Sequence, residues 1–132
     1  MVRRIVLEKG GLKIRIQRDM YMQILIDFSE PIIGKEQILD IRPVDLDDFY
    51  LAASDYDKNN LFFVLLNSIL HYEDSGDIVE AAHLNFLVAY YLYSTLTPPG
   101  SQSLALHYIN RAVSLNHLTE YDEWLDLIKK GN

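Results

Sequence analysis

The chain contains no cysteine. Disulfides, thiolate metal ligands and cysteine nucleophiles are excluded together, and a lean toward the cytoplasm follows, because oxidising compartments are where disulfides persist. Long apolar runs are also scarce. The most membrane-like stretch, Ala81 to Leu96, has no Asp, Glu, Lys or Arg, yet it spans only 16 residues and carries His83 and Asn85 before Pro98-Pro99-Gly100. A membrane span needs about 20 apolar residues, so a buried core helix is expected there and no membrane association. The N-terminus reaches Glu8 and Lys9 after the three apolar residues Ile5-Val6-Leu7. It lacks the apolar region of a signal peptide and reads as part of the fold.

What is present fits a soluble globular protein. Of 132 residues, 49% are hydrophobic and 23% charged, close to ordinary globular usage. A chain of this length can remove about two-thirds of its unfolded surface from water without a covalent staple. Charge is unevenly placed within the net −7: residues 1–18 hold six basic residues against Glu8, giving +5, so the other six basic and eighteen acidic residues give −12. The basic residues alternate with apolar ones in strand fashion, which reads as a solvated sheet face lying against an acidic body.

Leu12-Lys13-Ile14-Arg15-Ile16-Gln17 alternates strictly, the period of a half-buried strand. With Ile5-Val6-Leu7 and the turn-forming Gly10-Gly11 it predicts a β-hairpin over residues 3–17. Residues 19–28 fit strand and helix templates equally; Asp19 as a cap and Pro31 as a stop tilt the reading to helix. Pro43 and Asp45-Leu46-Asp47-Asp48 predict a short helix with acid at its start. Apolar spacing then predicts four helices: from about Asn59 to Glu73, from Asp77 to about Leu96, after Pro98-Pro99-Gly100 with Ser101 or Ser103 as cap, and from Thr119 onward. The second of these opens with Asp77-x-x-Glu80, an acidic variant of the capping box, and is apolar all round, so it should be the central one. The expected fold is α+β and predominantly α: one domain over 1–132, with a basic hairpin (1–18), a mixed segment with short helices (19–57) and a stack of antiparallel helical hairpins (58–131).

Two fragments carry a resemblance. Tyr72-x-x-x-Gly76-Asp77-x-x-x-Ala81 places an aromatic, a Gly-polar turn and a small residue at the spacing found between the helices of a tetratricopeptide repeat, and Ala105-x-x-x-Ile109-x-x-Ala112-x-x-Leu115 is similar to that family's second helix. The first fragment makes the helix after Pro99 the first of a pair and the second makes it the second; His117 stands where the family has proline. The resemblance implies paired-helix packing and binding in a concave groove. No family binding residue transfers, because groove positions do not align.

Reactive constellations are few. Asp55-Tyr56-Asp57-Lys58-Asn59-Asn60 begins like a calcium loop, but position 12 is Leu66, so the closing bidentate carboxylate is missing and an Asx-rich helix cap is the expected role. His71, His83, His107 and His117 lack the paired spacing of a zinc helix. His71 beside Glu73, Asp74 and Asp77 reads as capping and solvation, and His83 as a hydrogen-bonded core residue. No phosphate-binding loop, dinucleotide fingerprint or nucleophile elbow occurs. No catalytic, cofactor-binding or metal residue is therefore assigned, and no cofactor is expected.

Tyr90, Tyr91 and Tyr93 lie within about one helical turn and point in different directions; ordinary aromatic burial favours a packed core with the hydroxyls at its margin, and the divergence also places at least one at a surface or groove suited to a protein partner. The leading expectation is a non-catalytic protein-interaction module, an adaptor or regulator, with these tyrosines as its contact residues. The alternative is an immunity-type inhibitor whose acidic face, Asp45, Asp47, Asp48, Asp55 and Asp57, blocks a basic toxin or nuclease. A nucleic-acid reader using Arg3, Arg4, Lys13 and Arg15 ranks below both, since the acidic body repels phosphate. Self-association stays open.

Overall fold

The computed structural model describes residues 30–131 throughout and, ahead of them, the backbone of residues 5–7, 13–17 and 23–27. From Glu30 to Gly131 every regular element is helical: α1 (Lys35–Ile38), α2 (Pro43–Ala52), α3 (Asp55–Ser75), α4 (Ile78–Tyr90) running on into a π-helical turn (Tyr91–Leu96), α5 (Ser101–Leu115) and α6 (Thr119–Lys130).

The α+β expectation is corrected on that finding: no strand occurs among residues 30–131, and the packed body is a helical stack with no β-hairpin in it. The described N-terminal backbone forms three short extended segments, Ile5–Leu7, Lys13–Gln17 and Gln23–Asp27, antiparallel in sequence order. The last of these stands where a helix over 19–28 was favoured. The Gly10-Gly11 turn and the side chains of Arg3, Arg4, Lys9, Lys13, Arg15 and Arg18 lie outside the described residues.

Local chemistry sets the helix ends. Pro43 occupies the first turn of α2, where no donor is lost, and the Asp45 carboxylate accepts the Arg42 backbone N–H at 2.7 Å. α3 begins earlier than Asn59, because the Ser54 hydroxyl accepts the Asp57 N–H at 3.1 Å and puts Asp55 and Asp57 in the first turn, at the positive end of the dipole. It stops at Gly76, whose φ of 78° lets the Asp77 N–H turn back to the Tyr72 carbonyl at 2.9 Å. The expected Asp77 capping box does not form. That carboxylate instead binds Lys35 Nζ at 2.8 Å and accepts the Ser75 hydroxyl at 2.7 Å. The Lys35 bond, then the Ser75 bond, holds it below its ordinary pKa.

Short turns join α3 to α4, α4 to α5 and α5 to α6, and each helix packs on the next, so neighbours run antiparallel. α4 lies at the centre between α3 and α5, with every residue from Ala81 to Ala89 buried. The segment before α1 is tied across α3: Ile33 N–H donates to Ser68 Oγ at 3.0 Å, Tyr72 Oη to the Ile33 carbonyl at 2.5 Å, and Asn67 Nδ2 to the Pro31 carbonyl at 2.9 Å. Ile33, Ile38 and Ile41 are thereby buried in the same core.

His83 is buried in the core with both ring nitrogens paired. Its Nε2 lies 2.7 Å from the Ile41 carbonyl and its Nδ1 3.3 Å from Tyr121 Oη, a pairing that requires Nε2 to carry the proton and Nδ1 to accept. Burial lowers its pKa from the ordinary value, against the bond to the Ile41 carbonyl, which raises it, and with a smaller lowering from the Arg42 charge.

Candidate functional site

α3 is apolar on two faces. Its buried residues, Leu61, Leu65, Ser68, Ile69 and Tyr72, form one side. At about 100° per residue, Tyr56, Phe63 and Leu70 cluster within about 40° on the opposite side, one every seven residues. They are 75%, 63% and 67% exposed. Asn59, Asn60 and Asn67 flank them, and no charged residue lies on that face between Tyr56 and Leu70.

Along one edge of the stripe a groove of about 280 Å³ opens toward α5, lined by Leu66, Ile69, Leu70 and Glu73 of α3, Asn85 of α4, and His107, Tyr108 and Arg111 of α5. Glu73 ties the three helices together: its Oε1 accepts Arg111 Nη2 at 2.6 Å, Arg111 Nε at 3.2 Å and Asn85 Nδ2 at 3.3 Å. Asn85 is buried and donates to the Ala81 carbonyl at 2.8 Å, while its Oδ1 has no hydrogen-bond partner among the described residues. A second hollow of about 280 Å³ adjoins it across Arg111 and His107. The surface thus offers apolar side chains rimmed by a few fixed polar groups, the composition of a protein-contact patch.

The three tyrosines do not share a surface. Tyr91 is fully buried; its hydroxyl donates to the Lys58 carbonyl at 2.7 Å and its ring stands edge-on to Tyr50. Tyr90 is half-buried, donating to Asp47 Oδ2 at 2.7 Å and lying edge-on to Trp124. Tyr93, also half-buried, reaches the Leu127 carbonyl at 3.4 Å. Burial raises the Tyr91 and Tyr90 pKa values, and the Asp47 bond raises Tyr90 further, so both remain protonated donors.

Nor do the five aspartates make one solvent-facing set. Asp45 is buried at the start of α2, and Asp47 accepts both Tyr90 Oη and, at 3.1 Å, Thr95 Oγ1. Asp57 is half-buried, leaving Asp48 and Asp55 exposed. Asp55 to Asn60 are the opening turns of α3 rather than an ion-binding loop. Tyr56, Phe63 and Leu70 had a signal in the sequence, their seven-residue period; Arg111 and Tyr108, far along the chain, had none.

Among the described residues no helix is long and apolar enough to cross a membrane. No protein-family model, no curated protein and no solved structure matches the chain.

Proposed function

We propose that this protein is a non-catalytic protein-interaction module, a cytoplasmic adaptor or regulator that offers the outward face of α3 and the adjoining α3–α5 groove to a protein partner. The exposed stripe Tyr56, Phe63 and Leu70 carries the reading. Folding leaves three large apolar side chains in line on one helix, on the order of 400 Å² of apolar surface, the size at which exposed patches serve binding. The antiparallel helical stack supports it, because α3 is held on its other face by α4. Tyr90, Tyr91 and Tyr93 then act as struts, their hydroxyls holding the end of α4 and the π-helical turn to α2, α3 and α6. The acidic-inhibitor reading ranks second, because Asp45 and Asp47 are engaged within the fold.

Affinity capture followed by mass spectrometry tests the proposal, using wild-type protein beside Phe63→Glu and Asp48→Asn. The proposal expects a partner retained by wild type and Asp48→Asn and lost from Phe63→Glu. Identical captured sets from all three proteins would overturn it, and loss on Asp48→Asn alone would favour the acidic reading.

A further inference from the structure

We infer that the partner seated on the α3 stripe is a second copy of this chain, packed antiparallel about a two-fold axis that passes beside Phe63; this rests on the reading of α3 as an interaction face. The period of the stripe selects a helix. Side chains seven residues apart drift by only about 20° around a straight helix, so Tyr56, Phe63 and Leu70 match a second helix crossing at about 20° and not an extended peptide, whose side chains alternate every two residues.

The composition then selects a copy of the same helix. Reversing α3 about Phe63 sets Phe63 against its own counterpart and Tyr56 against Leu70 of the other copy, at both ends of the contact. Asn60 and Asn67 lie on the same flank, three and four residues from Phe63, so the amide of each comes close to that of the other in the second copy. A two-fold interface demands this self-complementarity: every residue must suit the residue the axis assigns it.

Charge agrees. The chain carries −7, with −12 on the residues after 18, yet the face from Tyr56 to Leu70 holds no charged residue. This is where two acidic copies can touch without apposing carboxylates. A basic heterologous partner would gain nothing from an uncharged stripe.

The area limits the contact. The stripe and its flanking Asn59, Asn60, Leu66 and Asn67 remove about 1,000 Å² from water in total, below the usual size of stable interfaces, so a weak, concentration-dependent dimer is expected.

Sedimentation equilibrium across 1–200 μM, in about 0.15 M salt, reads the association. Wild type should shift from monomer to dimer, and Phe63→Glu, with circular dichroism unchanged, should remain monomeric. The absence of native cysteine permits a geometric test. Phe63→Cys, beside the axis, should oxidise to a disulfide-linked dimer. An equimolar mixture of Tyr56→Cys and Leu70→Cys should cross-link faster than either alone, and Asp126→Cys on the exposed side of α6 should not cross-link. Wild type monomeric throughout, a Phe63→Glu dimer, or cross-linking of Asp126→Cys as fast as Phe63→Cys would overturn the inference. A monomer whose captured partner is still lost in Phe63→Glu overturns the second copy alone and leaves the interaction reading standing. A monomer with unchanged capture overturns both.

Discussion

α4 and α3 are both richer in apolar residues than a surface helix needs, and they dispose of the excess differently. α4 is covered on both sides, by α3 and α5, so Ala81 to Ala89 all vanish from solvent. α3 covers α4 with one face and keeps Tyr56, Phe63 and Leu70 outside. The apolar residues of α4 from Ala81 to Ala89 are accounted for by folding, while Ile78 and Val79 in its first turn stay exposed. Tyr56, Phe63 and Leu70 on the outer face of α3 are left largely uncovered by the described residues, and a surface left open in that way is where a partner is to be sought.

Substitutions on the two helices should separate these roles. Phe86, fully buried on α4 with its ring 5.0 Å from that of Tyr121, should show the largest effect: Phe86→Ala is expected to cost about 3–5 kcal/mol in urea unfolding. A loss below about 1 kcal/mol would mean that α4 is not the centre of the core.

Next comes pH. Because the folded-state pKa of His83 is lowered, the unfolded chain binds the extra proton more readily. The stabilising effect of the neutral ring is complete above about pH 6.5 and declines as pH falls below it, with a slope of at most about 1.4 kcal/mol per pH unit. His83→Gln should flatten that part of the stability profile; an unchanged slope would place the titration elsewhere.

Tyr91→Phe removes the bond to the Lys58 carbonyl and should cost about 1 kcal/mol. A double-mutant cycle on Glu73 and Arg111, a partly exposed pair, should give a coupling of about 0.5–1 kcal/mol that weakens with salt. Coupling near zero would leave the groove rim without a fixed ion pair.

The helical stack was legible because apolar spacing and the breaks at Gly76 and Pro98-Pro99-Gly100 act locally. The π-helical turn over Tyr91–Leu96 was not, since a wider helical turn leaves apolar spacing almost unchanged. Asp77 misled for another reason: its carboxylate found Lys35, a residue 42 positions away, and so left the helix start uncapped by its side chain. Over residues 19–28 strand and helix templates tied, and local pattern alone had no means of choosing. Among candidate contact residues, the density of tyrosines at 90–93 drew attention, but whether a hydroxyl meets Lys58 or Asp47 depends on distant packing. The period of Tyr56, Phe63 and Leu70 is hidden when the helix is started at Asn59, since Tyr56 then falls outside it, and which face of α3 is covered depends on distant packing.

The smallest expected effect bears most directly on the contrast between the two helices. Urea unfolding of Phe63→Gln at submicromolar concentration, where self-association contributes nothing, should give a stability within about 1 kcal/mol of wild type, glutamine's better helix propensity offsetting part of the lost ring contact. A loss of about 3 kcal/mol or more, as for a buried phenylalanine, would contradict the account by showing that folding itself uses the outer face of α3.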